Sequence, residues 1–297
     1  MAELKKIALG NTGMTPKNLG LGCAWFGGEK SSDRDTIEGV RRAIELGMDF
    51  VDTSAGYGQS ERRVGLALEG GWRDKVYLET KAGTHPEKRG DYSAATIRWS
   101  VENSLRQLKT EYLDSVLIHD PADIEVPLAP GHALDELLKM KEAGTIGHIG
   151  LGVRQHHFHR RMIETGHCEI VLSYLDYTLL DQSVAATTIP LAKEKGVGLI
   201  LASVFGMGLL GGREPDLTVE KPRPKAYLAH AMWQWCLDKG VEIRHLAMQY
   251  ALGASPDCMV MPGPYNKQKV EEAYEAFTTE VPAEVWADFK AEFGVGL

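Results

Sequence analysis

The sequence predicts an α/β fold, a single (β/α)8 barrel of the TIM type spanning residues 1–297 and entered through a short N-terminal β-hairpin. Three observations lead there. Apolar runs of strand length recur along the chain, each followed by a longer amphipathic stretch. Eight such units alternate strictly, which calls for parallel pairing because each helix must carry the chain back across the sheet. Eight is also the number that closes a parallel sheet on itself and leaves no edge. An open doubly wound sheet satisfies the same alternation, and the units, spaced from roughly 25 to over 50 residues, form no sequence repeat.

The elements follow in order. Leu4–Met14, with Gly10-Asn11 inside it, reads as the hairpin. Strands are expected at Leu19–Cys23, Phe50–Asp52, Val76–Lys81, Ser115–His119, Ile146–Leu151, Ile170–Tyr174, Gly198–Ser203 and Cys258–Met261. Helices are expected at Asp33–Leu46, Gln59–Leu68, Ala94–Leu108, Ala133–Ala143, Phe158–Glu164, Ser183–Lys195, Ile243–Leu252 and Lys267–Ala276. Asp33 and Ser93 stand as N-caps, and Gly47, Gly144, Gly196 and Gly240 stand where helices end. Gly211–Ala229, with Pro215, Pro222 and Pro224, reads as a long loop feeding an extra helix from Tyr227 to Lys239.

Composition narrows the function. Lys+Arg number 33 against 41 Asp+Glu, a formal charge of -8, which speaks against a nucleic-acid partner. No window approaches ~18 uninterrupted apolar residues, so no membrane partner is expected. Met1–Leu9 lacks the apolar core of a secretory signal, and Glu3 argues against a transit peptide. Cys23, Cys168, Cys236 and Cys258 are scattered without a CxxC pair and read as reduced core or pocket residues. The expectation is a cytoplasmic protein, monomer or homo-oligomer, acting on a small molecule.

In such a barrel the chemistry sits at the carboxyl ends of the strands. The second strand ends on Asp52 and leads into a loop with Tyr57; the third ends on Lys81, the fourth on His119. These types work together. A phenol with a free pKa of ~10 is a poor proton donor or acceptor near neutrality. An ammonium beside it favours phenolate, and a buried carboxylate keeps the ammonium charged. A histidine can hold a substrate oxygen against the phenol. The set moves protons at an alcohol or carbonyl oxygen without a metal, and needs a redox cofactor for the hydride.

Asp52-Thr-Ser-x-x-Tyr57-Gly, Thr80-Lys81 and Ile118-His119 together resemble the tetrad signature of the aldo-keto reductase superfamily. The likeness continues through Ile149-Gly-Leu-Gly-Val153, Leu201-Ala-Ser-Val-Phe205-x-x-Gly-Leu-Leu and Met261-Pro-Gly-Pro. The first and second of these segments are similar to those of dehydrogenases acting on fucose- or galactose-like aldoses. The resemblance implies Tyr57 as general acid/base, Lys81 as its pKa-lowering partner, Asp52 paired with Lys81, and His119 orienting the substrate oxygen. It also implies NAD or NADP extended across the barrel mouth, with Gly22, Cys23, Ser173, Tyr174, Ala202, Ser203, Phe205, Gly208, Gly263 and Lys269 at the matching positions. Ser173 and Tyr174 stand where the family usually has Asn-Gln, and Ala202 where many members stack a tyrosine. The usual Lys-Ser and Arg that grip a 2′-phosphate are replaced by Gly263, Pro264 and Lys269, which favours NAD while allowing both.

Three further positions are candidates for the substrate. Trp25 follows the first strand and offers either a stacking face for a sugar or a packed rim residue. Asp120 serves a hydroxyl or caps the next turn, and Arg154 serves a hydroxyl or makes a surface ion pair. His156-His157-Phe-His159 reads as solvated loop histidines, since no partner at ligand spacing completes a metal site. Gly206-Met-Gly208-Leu-Leu-Gly211 matches a dinucleotide fingerprint but runs into Gly212-Arg-Glu-Pro-Asp instead of a helix, so it reads as a flexible rim loop. The expected reaction is NAD(P)-dependent interconversion of an alcohol or hemiacetal and a carbonyl or lactone on a sugar-like substrate. The alternatives are a general NADPH-dependent aldehyde or ketone reductase, a nicotinamide-binding regulatory subunit with little turnover, and a metal-dependent barrel enzyme.

Overall fold

The computed structural model describes residues 4–218 and 225–297. Eight parallel strands pair in the order in which they occur: β1 (Leu21–Gly22), β2 (Phe50–Asp52), β3 (Tyr77–Ala82), β4 (Leu113–His119), β5 (Ile146–Gly152), β6 (Ile170–Tyr174), β7 (Gly198–Ala202) and β8 (Cys258–Met261). The circle closes where Leu19 bridges Val260: Gly20 N donates to Val260 O at 2.9 Å and Val260 N to Asn18 O at 2.9 Å.

Strand side chains alternate between two environments, as a period of two demands. Phe50, Leu117, Ile170, Leu172, Ile200, Met259 and Met261 form one apolar cluster. Their neighbours Val51, Val116, Ile118, Val171, Leu199, Leu201 and Val260 join a second one that includes residues of the surrounding helices. The first cluster fills the barrel and the second lies between sheet and helices, so the centre is packed and not a pore. Glycine makes room where strands crowd. A Cβ on Gly150 would run into Ile170 O and the Leu117 side chain.

The helices are α1 (Asp33–Glu45), α2 (Ser60–Leu68), α3 (Ala94–Leu108), α4 (Glu125–Leu128), α5 (Ala133–Glu142), α6 (His156–Glu164), α7 (Thr188–Lys195), α8 (Ala226–Asp238), α9 (Ile243–Leu252), α10 (Lys267–Thr278) and α11 (Ala283–Phe293). A third cluster joins α8, α9 and α11 through Met232, Leu246, Trp286 and Phe289, and Leu209 and Leu210 from the loop after β7 pack into it. No helix among the described residues is long and apolar enough to cross a membrane.

Several expectations need correction. The N-terminal hairpin does not form: Leu4–Met14 holds no strand, only a single antiparallel bridge from Lys6 to Lys17. The tip is drawn elsewhere, since Asn11 N donates to Gly196 O at 2.7 Å while Ile7, Leu9 and Met14 pack into the barrel-filling cluster. The N-cap of α1 is Ser32, which forms a capping box with Asp35; Asp33 is the first helical residue and pairs with Arg62 and Arg63. Ser93 precedes α3 but makes no side-chain cap bond. The predicted helix Ser183–Lys195 breaks into a 3-10 turn, Ser183–Ala186, and α7, because Pro190 carries no N–H and must sit within the first turn. Helix α11 was not expected, although Trp286, Phe289 and Phe293 recur at its spacing. Pro222 and Pro224 lie outside the described residues.

Gly150→Ala tests the interior packing. The variant is expected to lose about 1–3 kcal/mol of unfolding free energy, measured by urea denaturation, because the new methyl group has no space to enter.

Candidate active site

Strand pairing sets the positions of the polar side chains. In register, Asp52 on β2 lies opposite Glu79 on β3, Lys81 opposite Leu117 on β4, and His119 opposite Gly152 on β5. A Cβ on Gly152 would sit 3.4 Å from Lys81 Cδ and 3.5 Å from Cε, ordinary contact distances, so the lysine stem runs directly alongside β5. Lys81 and Asp52 are almost fully buried and form an ion pair, and Lys81 Nζ also donates to Thr53 O at 2.8 Å. Burial works against the charge on Lys81, but Asp52, Tyr57 and Glu79 outweigh it and hold the ammonium above the ordinary lysine value. Burial also raises Asp52, against the pull of Lys81.

Tyr57 comes over this pair on the loop after β2. Lys81 Nζ lies 4.8 Å from the phenol ring centroid, and the His119 ring meets it edge-on at 5.6 Å and 87°. Burial raises the phenol above its ordinary value, and Lys81 opposes that rise without cancelling it. The contribution of Lys81 is thus downward while the net shift is upward. In the protein alone the phenol is protonated at neutral pH.

His119 is held neutral, well below the ordinary histidine value, by burial first and then by Lys81 and Arg89. Its Nδ1 lies 3.1 Å from Ser54 Oγ and 2.7 Å from Thr84 Oγ1. Ser54 Oγ also accepts from Gly56 N, so its proton is free for the imidazole. With the Asp120 carboxylate on the Nε2 side, the ring proton is assigned to Nε2, and the single lone pair of Nδ1 then accepts from one of the two hydroxyls. The Nε2 side faces Asp120, whose Oδ2 is 3.5 Å away. Tyr92 fixes the strand end by donating to His119 O at 2.6 Å. Sequence reasoning gave no role to Ser54, Thr84 or Tyr92. Ser54 lies inside the quoted Asp-Thr-Ser motif, whereas Thr84 and Tyr92 reach His119 only through the fold.

The rim has two halves. Strands β2 to β4 carry Asp52, Tyr57, Lys81 and His119; β6, β7, β8 and β1 carry Tyr174, Ala202, Ser203, Gly263 and Gly22. Three residues just past strand ends hold left-handed backbones: Asp120 (φ 42°), Leu175 (φ 64°) and Ser203 (φ 58°). Each still donates its N–H to a carbonyl at the end of another strand: Gly152, Ala202 and Met261. Such conformations cost about 1–3 kcal/mol apiece and gather where a site constrains the chain.

The other candidate positions divide. Gly208 (φ 92°) has open space around its Cα, and Gly206 to Gly208 form a 3-10 turn, so the rim loop is locally ordered. A Cβ on Gly263 would crowd the Trp25 ring at 3.2 Å. Trp25 is exposed, and Phe205 is half-buried, touching two of the apolar clusters. Cys23 is fully buried in the sheet–helix core, and its backbone is already engaged, its N–H donating to Asp52 O at 2.8 Å and its C=O accepting from Ser60 Oγ at 2.8 Å. Ser173 is also buried and donates to Asp176, whereas Tyr174 donates to Asp120 Oδ1 at 3.1 Å. Arg154 makes an ion pair with Asp181 at 3.0 Å, which Lys225 shares. Lys269 is paired with Glu272, which Arg244 also contacts at 3.1 Å.

The histidine cluster is not a solvated loop. His156 to His159 begin α6. His159 is fully buried, bonded to Thr188 Oγ1 and Val153 O at 2.8 Å each, and burial lowers its pKa to about 4. His156 bonds Asp176 and Thr187 at 2.9 Å each.

On the half-rim away from Lys81, Gly208 is exposed, Ala202, Ser203 and Gly263 are partly exposed, and Gly22 is buried. Residues 18–292 match the Aldo/keto reductase family. The L-galactose dehydrogenase of Arabidopsis thaliana is 32% identical over 293 residues, covering 94% of this chain and 89% of the relative. The D-threo-aldose 1-dehydrogenase of Pseudomonas sp is 26% identical over 310 residues, covering 93% and 94%. Among solved structures, a glycerol dehydrogenase of Gluconobacter oxydans superimposes with a TM-score of 0.79 at 22% identity, covering 97% of this chain and 96% of that one.

Two outcomes follow from the site geometry. Asp52→Asn strands the Lys81 ammonium and is expected to cost about 3–5 kcal/mol in urea unfolding, with Asp52→Asn/Lys81→Met recovering most of the loss. The His119 ring is expected to keep its neutral NMR shifts as pH falls through 6.5, because its pKa is depressed. Unfolded chains take up that proton and native ones do not, so this residue's contribution to stability declines with acidification below 6.5.

Proposed function

Because the chain belongs to the aldo/keto reductase family, we propose that it is an NAD(P)-dependent oxidoreductase that interconverts an alcohol or hemiacetal and a carbonyl or lactone on an aldose-like sugar. The observation that carries this reading is the placement of Tyr57 over the buried Lys81–Asp52 pair with a neutral His119 at its edge. The nicotinamide, when bound, supplies the hydride donor or acceptor. The chain's own residues handle the oxygen. His119 Nε2–H donates to the substrate oxygen and holds it against the Tyr57 hydroxyl, while Nδ1 accepts from Ser54 or Thr84. In reduction Tyr57 gives its proton to the carbonyl oxygen, and the Lys81 ammonium stabilises the phenolate left behind. In oxidation the phenolate takes the proton back. Asp52 keeps Lys81 charged throughout.

Gly22, Ser203, Gly208 and Gly263 are read as the backbone-lined path of the dinucleotide, with Tyr174, Ala202 and Phe205 near its reactive end. Ser173 reaches that end only if Asp176 releases it. The preference for NAD is supported by the ion pair of Lys269 with Glu272, which occupies the one cation retained where a 2′-phosphate would lie. Asp120, Tyr174 and Trp25 are read as the sugar-facing wall, two polar groups and one aromatic face; Arg154 joins them by leaving Asp181. The relatives named for L-galactose and D-threo-aldose support the sugar class. The whole chain is read as one catalytic domain, cytoplasmic, and the four free buried cysteines suit a reducing compartment.

Absorbance of the reduced nicotinamide, followed with NAD+ and NADP+ offered separately against aldoses and simple alcohols, tests this reading. Turnover is expected with an aldose and with NAD+ the better cofactor. Tyr57→Phe is expected to lower kcat by about 10²–10⁴. Glu272→Gln frees Lys269 and is expected to shift kcat/KM toward NADP+ by about tenfold. Tight cofactor binding with no turnover on any substrate would favour a regulatory, nicotinamide-sensing role.

A further inference from the structure

Beside the Lys81–Asp52 pair the barrel holds a second carboxyl group that the chemistry above does not use. Glu79 lies on β3 two residues before Lys81, so the strand's alternation turns both side chains to one face. It is the cross-strand partner of Asp52 and is 0% exposed. Its Oε2 accepts from Ser115 Oγ at 2.6 Å, while Oε1 is buried with no donor. As register partners on adjacent strands, the buried Glu79 and Asp52 carboxyl groups lie side by side, and a hydrogen bond between them lowers the pKa of Asp52 and raises that of Glu79. Two carboxylates cannot bond, but one proton between them turns repulsion into a hydrogen bond. Lys81 makes its bonds to Asp52 and Thr53 O, and among the described residues no donor reaches Glu79 Oε1.

Resting on the reading of Tyr57 and Lys81 given above, we propose that Glu79 is a positioning residue. It stands as a carboxylic acid and donates its proton to Asp52, so that Glu79, Asp52 and Lys81 sum to zero charge and the ammonium stays available to Tyr57. The groups facing Glu79 are Asp52 from β2, Lys81 from β3 and the uncharged Ser115 hydroxyl from β4. Tyr57 and His119 lie beyond Lys81, toward the rim. Burial, followed by the charge of Asp52, pushes the Glu79 carboxyl up to about 8. Loss of its proton sets two carboxylates against one ammonium, and the added anion raises the Tyr57 phenol further.

The proton also marks stability. The native chain keeps it where an unfolded glutamate, at 4.5, has released it, so stability falls as pH rises from 4.5 to about 8. Glu79→Gln removes that slope, because the amide is neutral at every pH and its N–H still donates to Asp52.

Infrared spectroscopy of the whole chain carrying ¹³C-glutamate, taken as the difference between parent and Glu79→Gln, tests the assignment. A carboxylic-acid C=O band is expected at neutral pH and is expected to vanish as pH passes about 8. The pH profile of kcat for alcohol oxidation is expected to bend over the same interval in the parent. Glu79→Gln is expected to turn over within about threefold of the parent near neutrality and to lack the bend. Should Glu79→Gln not fold, Ser115→Ala is the second comparison, since loss of that hydroxyl shifts the same band. Absence of the band from the folded parent at neutral pH overturns the proposal, and so does a bend that survives in Glu79→Gln. The band needs neither substrate nor cofactor, so inactivity with the band present counts against the proposed reaction and not against Glu79.

Discussion

The buried contact between Lys81 and Asp52 is the constraint on which the rest of the site depends. An ammonium and a carboxylate placed in the centre of a barrel give up hydration worth several kcal/mol each, and their attraction offsets that only with good geometry and further hydrogen bonds. The fold provides both. Thr53 O takes a second proton of Lys81, and the lysine stem packs alongside Gly152 of β5. Tyr57, which sits above, then feels a nearby fixed positive charge in surroundings that otherwise disfavour phenolate. The pair is thus a poor source of stability for its volume and a good source of a defined charge at a defined place.

Strand order turns that charge into a site. Neighbouring strands β2, β3 and β4 deliver the titratable groups Asp52, Tyr57, Lys81 and His119 to one side of the rim, and β6, β7, β8 and β1 deliver small or aromatic residues to the other. Left-handed residues directly after β4, β6 and β7 bend the chain at the mouth while keeping its N–H groups bonded. The cluster that includes α8, α9 and α11 anchors the loop after β7 through Leu209 and Leu210, so one wall of the mouth is tied to packing well away from the barrel centre.

Much of this was legible in the sequence. Strands such as Phe50–Asp52, Ile170–Tyr174 and Cys258–Met261 carry short apolar runs bounded by polar or turn residues, and their observed limits are the expected ones. Asp52, Lys81 and His119 stood out near the ends of β2 to β4 because each places a titratable side chain where an apolar run stops. What was not legible depends on long-range contact. Leu4–Met14 has hairpin chemistry locally, but its tip bonds to Gly196 and its apolar residues join the barrel core. His159 reads as polar and is fully buried because Thr188 and Val153 satisfy both ring nitrogens. Glu79 stood in plain view two positions before Lys81, and the period-two rule alone places both on one face of β3.

In the proposed reaction, hydrogen leaves or reaches the substrate carbon as hydride while Tyr57 moves only the proton on oxygen. The most direct measurement is a single turnover with an aldose deuterated at its oxidisable carbon, followed by mass analysis of the nicotinamide and of solvent. The label is expected to be recovered in the reduced nicotinamide. Label released to water would mean proton abstraction from carbon and would contradict it.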